Sequence, residues 1–378
     1  MSAWPGKYII GLTGNIATGK SVVRKMLEHQ GAYGIDADAL GHRAIAKDAP
    51  GYKSVVGEFG RWILDPDEQI DRSKLSRIVF ADPAALKRLE AIVHPLVRQA
   101  VDVLVRHASQ PVIVIEAIKI LESPLRQACD SIWVTFSPPS VQLTRMMQKR
   151  GMTEEAARQR ILAQPPQEEK IAAANVVIRN EGSFEDIWRQ VQAAWLAQFP
   201  SVFETAPTKP IQAPPGQLVV EKGRPKQAAE IALFISRVTG GQRKLKAEDI
   251  MAAFGEKAFM LLRMDGRLVG LVGWQVENLV ARTDEVCLDS HISVKDAMHL
   301  LLQEVEKTSR DLQCEASLLF LPPTLARQEE VWRDLSYEPR TVQSLGVRAW
   351  QEAAQETPRA GELMLFKQLR KDRVLRPV

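Results

Sequence analysis

Tyr8-Ile-Ile-Gly-Leu-Thr13 runs directly into Gly14-Asn15-Ile16-Ala17-Thr18-Gly19-Lys20-Ser21, and that stretch into Val22-Val-Arg-Lys-Met-Leu-Glu28. An apolar strand, a glycine-bounded loop and a helix start follow in the order that Gly-x-x-x-x-Gly-Lys-Ser/Thr requires. Such a loop lines a concave surface with backbone N–H groups at a helix N-terminus, which favours an anion. Gly14 and Gly19 allow backbone angles and close approach that a side chain would obstruct. The motif assigns Lys20 to the outer phosphates of a nucleoside triphosphate and the Ser21 hydroxyl to Mg²⁺. The phosphate cradle therefore runs from Gly14 to Val22.

The rest of the chain bounds the possibilities. Its 378 residues suggest two domains. With 25% charged and 45% hydrophobic residues, the composition is that of an ordinary globular chain. A formal net charge of +4 without a basic block argues against nucleic acid or a membrane surface as partner. Cys129, Cys287 and Cys314 are widely spaced and odd in number. They form neither a zinc pattern nor a disulfide framework, which fits a reducing cytoplasm. No apolar run has bilayer-spanning length, and the first strand begins too early to leave room for a signal peptide.

Apolar strand-length runs at 8–13, 35–38, 112–116, 131–136 and 175–178 alternate with helical stretches. That alternation predicts an α/β unit with a doubly wound parallel sheet over 1–199. In the helix predicted from Asp82 onward, Pro95 should introduce a kink. Pro200, Pro207, Pro210, Pro214 and Pro215 mark 200–216 as a semi-rigid linker. Residues 217–378 read as a second, α+β unit, with a hairpin turning at Asp265-Gly266.

Three features bear on what accepts the phosphate. Asp36 and Asp38 close the second predicted strand, spaced so that both side chains share one face, at the sheet end where phosphate sites lie. Either can take a hydroxyl proton during phosphoryl transfer; Asp38 can equally cap the following helix. Glu116 ends a buried strand, as a Mg²⁺-binding acid does in P-loop enzymes or as any exposed strand-end acid does. Arg145, Lys149, Arg150, Arg158 and Arg160 occupy two helices around Gly151, which suits either a cationic lid or a solvated basic face.

Beyond these features, an ordered series resembles the dephospho-coenzyme A kinase family. It comprises Gly11 to Ser21, Ile35-Asp-Ala-Asp38, Leu89-Glu-Ala-Ile-Val-His94-Pro95-Leu96, Ser137-Pro138 with Gln142 and Arg145, Arg160-Ile161 to Gln164, and Ala174-Asn-Val-Val-Ile-Arg-Asn180-Glu-Gly182. The resemblance covers about 7–199. It implies a P-loop kinase core, a helical acceptor region and a lid. It also implies transfer of the ATP γ-phosphoryl group to the ribose 3′-hydroxyl of dephospho-CoA, with MgATP as donor. It makes Asp38 the general base, Lys20 and Arg145 the phosphate cations and Ser21 a Mg²⁺ ligand, to which the strand-end reading adds Glu116. Asp36, His94 and Arg160 then fall on the acceptor side. The chain departs from the family at Asn15 and Ala17, at Ile118-Lys-Ile-Leu-Glu122, at Lys149 and at Asn175. Another small nucleoside or nucleotide kinase and a non-catalytic ATP-binding scaffold are the alternatives. The second unit resembles a GNAT-type acetyltransferase fold, but Asp289-Ser-His-Ile-Ser-Val294 stands where that family has its pyrophosphate loop, so a degenerate, non-catalytic unit is expected.

Overall fold

The computed structural model describes residues 3–200, 214, 216–356, 361–371 and 374–375, and within these not the side chains of Lys149 and Arg150. Most of the expected linker, including Pro207, Pro210 and Pro215, lies outside the described residues. The first half runs β1 Tyr8–Thr13, α1 Lys20–His29, β2 Tyr33–Asp36, α2 Ala37–Ala44, α3 Tyr52–Phe59, α4 Arg72–Ala81, α5 Pro83–His107, β3 Val112–Glu116, β4 Ser131–Phe136, α6 Pro139–Arg150, α7 Glu154–Leu162, α8 Gln167–Ala172, β5 Val176–Arg179 and α9 Phe184–Gln198. The second runs β6 Leu218–Lys222, α10 Ala228–Val238, α11 Ala247–Ala253, β7 Ala258–Met264, β8 Arg267–Glu277, β9 Val280–Leu288, α12 Val294–Asp311, β10 Ala316–Leu321, α13 Pro323–Ala326, α14 Glu329–Asp334, β11 Glu338–Pro339, α15 Arg348–Gln355 and β12 Leu363–Gln368.

The first sheet is parallel throughout, in the order β2-β3-β1-β4-β5. Its central strands β1, β3 and β4 are buried on both faces, which is why they read as unbroken apolar runs. One face packs Ile10, Leu12, Val114 and Trp133 against Val23, Leu27 and Trp195. The other packs Ile9, Ile113 and Ile115 against Leu40, Val101 and Leu104. Parallel pairing brings all the strand ends to one edge. In register, Glu116 lies beside both Leu12 and Asp36.

Two local expectations change. The second strand stops at Asp36, and Asp38 sits in the first turn of α2. The two carboxylates therefore do not share a strand face. The Asp36 side chain accepts from the Ala39 N–H at 2.8 Å, so Asp36 rather than Asp38 is the helix cap. The helix through Pro95 continues over 25 residues as α5; because Pro95 is exposed, its ring and missing N–H fall on the solvent side.

The second sheet is mixed, in the order β11-β12-β10-β9-β8-β7-β6. Asp265 and Gly266 turn the β7–β8 hairpin with φ of 51° and 78°, the left-handed pair that a two-residue hairpin loop demands. A second such turn, Asn278-Leu279, joins β8 to β9 with φ of 49° and 60°. The Leu279 side chain leaves its own sheet and joins the apolar cluster formed by Trp4, Tyr33, Leu40 and Leu104 of the first half. Among the described residues no helix is long and apolar enough to cross a membrane.

Candidate active site

The P-loop is held from behind. Gly14 has φ 153°, and a Cβ there would lie 2.3 Å from Thr135 Oγ1. Gly19 has φ 90°, and a Cβ there would meet Asn180 Nδ2 at 2.0 Å. No side chain fits at either position. The Thr18 hydroxyl is buried, donating to the Asn15 carbonyl at 2.8 Å and sharing a hydrogen bond with Thr135 Oγ1. Asn180 Nδ2 donates to the Thr18 carbonyl at 3.0 Å. Arg145 Nη1 donates to the Ala17 carbonyl at 3.1 Å, and its Nη2 to Asn180 Oδ1 at 2.6 Å. These donors turn loop carbonyls toward the protein, which leaves the loop N–H groups other than those of Ile16 and Thr18 to face a ligand.

The expected lid cations thus divide. Arg145 turns inward, and burial lowers its affinity for the proton. Arg158 pairs with Glu154 one turn earlier at 2.6 Å. Arg160 is exposed on α7, and the side chains of Lys149 and Arg150 lie outside the described residues. The lid meets the loop elsewhere: Asn15 Nδ2 donates to the Pro165 carbonyl, the Ile16 N–H donates to Gln164 Oε1, and Ile16 packs with Met146 and Ala157.

The carboxylates converge at the sheet edge. Ser21 Oγ donates to Glu116 Oε1 at 2.9 Å, and Arg24 Nε donates to the other oxygen at 2.7 Å. Arg24 also bonds Glu28, which Lys25 and Arg24 together bring down to about 2 against the cost of burial. Burial, with Glu116 next to it, pushes Asp36 up to about 6. Asp38 Oδ2 accepts from the Ile118 N–H at 3.0 Å; burial raises its pKa, opposed by that hydrogen bond and by the Lys20 charge.

Sequence reasoning passed over Lys170. It is buried on α8 and donates to the Ile118 carbonyl at 2.9 Å, where Thr13 Oγ1 also donates. Burial lowers its pKa, and the charges of Lys20 and Asp38 both act on it. The altered segment after β3 is therefore a hub: its peptide N–H holds Asp38 and its carbonyl holds Lys170. Lys119 points away to Glu90 at 2.9 Å. Asn175 pairs across to β4, accepting from the Ile132 N–H at 2.7 Å. His94 is half-buried on α5.

Magnesium is the metal such a site implies. Ser21 Oγ and Glu116 Oε1 supply hard oxygens at the loop mouth, and Mg²⁺ typically takes only one or two protein ligands with the phosphates.

The model of the dephospho-CoA kinase family matches residues 8–186. A dephospho-CoA kinase of Geobacter sulfurreducens is 42% identical over 195 residues, which is 99% of its own length and 51% of this chain. This chain belongs to the dephospho-CoA kinase family. Among solved structures, a Thermus thermophilus protein is 33% identical, covering 51% of this chain and 97% of its own, with a TM-score of 0.46. A GNAT-family acetyltransferase from Streptococcus pneumoniae is 14% identical, covering 40% of this chain and 99% of its own, with a TM-score of 0.32. The dephospho-CoA kinase region thus accounts for half the chain. In the other half, the N-terminus of α12 is taken by the chain itself: Ser293 Oγ accepts from the Asp296 N–H at 3.3 Å, and the Asp296 carboxylate sits in the first turn. A negative charge there disfavours a second anion.

Proposed function

We propose that this chain transfers the γ-phosphoryl group of ATP to the ribose 3′-hydroxyl of dephospho-CoA, giving CoA and ADP. The observation that carries this reading is the Ile118 peptide beside the P-loop, which holds Asp38 and Lys170 together within reach of the Lys20 charge. Asp38 accepts the proton of the attacking hydroxyl. The Ile118 N–H fixes one of its oxygens, which leaves the other for the acceptor. Burial strengthens it as a base, since its carboxylate holds a proton more tightly than a solvated one. Lys20 neutralises the phosphoryl group in flight, and Arg145 serves the nucleotide by shaping the loop. Asp36, His94 and Arg160 belong to the acceptor side. Ser21 and Glu116 would hold Mg²⁺, which when bound supplies charge neutralisation at the phosphates. We place the kinase unit at 1–199, a linker at 200–216 and a non-catalytic unit at 217–378, and the protein in the cytoplasm.

Incubation of the full chain with ATP and dephospho-CoA is expected to yield CoA. Turnover of a nucleoside in its place, with none of dephospho-CoA, would sink this reading. Asp38→Asn should lower kcat by roughly 10²–10⁴, the usual worth of a general base. A protein that binds ATP with no turnover of any acceptor would instead be the scaffold alternative.

A further inference from the structure

The mechanism uses the first turn of α2 and leaves its last turn without a task. Arg43 lies there, and its guanidinium reaches out of the kinase unit. Nη2 lies 2.6 Å from both carboxylate oxygens of Glu315, and Nη1 donates to the Asn278 carbonyl at 2.6 Å. The two side chains are 10% and 1% exposed. Glu315 is itself fixed by backbone: its N–H donates to the Leu279 carbonyl at 2.7 Å, and its carbonyl accepts from Leu369 N–H at 2.9 Å. The second unit therefore presents a rigid socket to the end of α2. At the other end of the helix, Asp36 caps it and Ile118 holds Asp38. Eight residues at 1.5 Å each make α2 about 12 Å long, so a movement at Arg43 is carried to Asp38.

A buried ion pair is a poor way to glue two surfaces, because desolvation offsets most of its attraction and apolar side chains would serve as well. What a planar, forked guanidinium supplies is orientation. We propose that Arg43 is a positioning residue of the kinase reaction, through which Glu315 and Asn278 of the second unit set the placement of α2 and hence of the Asp38 carboxylate. The inference rests on Asp38 being the base. It gives the C-terminal unit a task in the chemistry of the first without a ligand of its own.

The test uses the full chain with Arg43→Met, Glu315→Gln and the double replacement Arg43→Met/Glu315→Met. Each is checked for native near-UV circular dichroism and assayed with ATP and dephospho-CoA. Arg43→Met is expected to lower kcat about tenfold or more, with KM for ATP unchanged, because a displacement of an ångström at a reacting group costs up to about a hundredfold. In an Asp38→Asn background the same replacement should change kcat less than about twofold, because the two effects run through one carboxylate. The double replacement removes both buried charges and stands in for the single one should that fail to fold; the same loss of kcat is expected. Wild-type kcat in a folded single or double variant overturns the proposal, as do equal losses in the wild-type and Asp38→Asn backgrounds. Full turnover by Asp38→Asn alone removes the base and the proposal with it, whereas loss in that variant beside normal kcat in Arg43→Met removes only the role of Arg43.

Discussion

Ala17 holds φ 58° in the middle of the P-loop, a left-handed angle that costs a side-chain-bearing residue about 1 kcal/mol or more relative to glycine. Ala17→Gly should therefore raise the unfolding free energy by about 1 kcal/mol in denaturant titration, with the loop's hydrogen bonds intact. Asp36 offers a pH test. Burial raises its folded pKa to about 6, above the ordinary value of 3.8. The folded state then binds the proton more tightly than the unfolded state. The stability this contributes is fully present below about pH 4 and is lost as pH rises through about 6. An asparagine at this position would keep the helix cap without titrating, so Asp36→Asn should gain stability relative to wild type between about pH 4.5 and about pH 7. The raised pKa of Asp38 should likewise move the acid limb of kcat/KM above the ordinary carboxylate range, and Asp38→Asn should abolish that limb. Of the site residues, Gly14, Gly19, Lys20 and Ser21 were legible because their relation is local. Lys170 was not, since its partner Ile118 is 52 residues away and its helix carries no motif.

At the scale of elements, the loop depends on β5 as much as on its own glycines. Asn180 follows that strand and reaches the Thr18 carbonyl and Arg145 together. Asn180→Ala removes the Thr18 donor and one of the acceptors of Arg145, which keeps its bonds to Ala17 and Ser137, and the loss of a charge-assisted hydrogen bond, worth about 1.5–3 kcal/mol, should weaken ATP binding roughly tenfold or more in calorimetry. The parallel sheet of the first unit was readable because its central strands are unbroken apolar runs that alternate with helices. The end of β2 was not, because Ile35-Asp-Ala-Asp38 suits a strand end and a helix cap equally, and only the Ala39 N–H decides between them. The sequence reading also passed over α15. Its buried face is Ala349, Trp350, Ala353 and Ala354, and alanine marks an apolar face only faintly.

Over the whole molecule, the two units are joined by residues of the second that pack into the core of the first sheet. Leu279, Leu312 and Leu375 pack among the first unit's apolar residues, the Tyr33 hydroxyl donates to the Leu312 carbonyl, and His29 is hydrogen-bonded to the Phe254 carbonyl. Leu279→Ala should cost about 2–5 kcal/mol and, where that penalty falls on the shared face, should uncouple thermal unfolding into two transitions. None of this was legible in sequence: a leucine in a two-residue hairpin turn reads as a misfit until the surface it enters is seen. That placement also sets an order of events in the cell. Leu312 leaves the ribosome 279 residues after Tyr33. At about 5–20 residues per second, the nascent first unit waits ~14 to 56 s with an apolar flank open to chaperones and proteases.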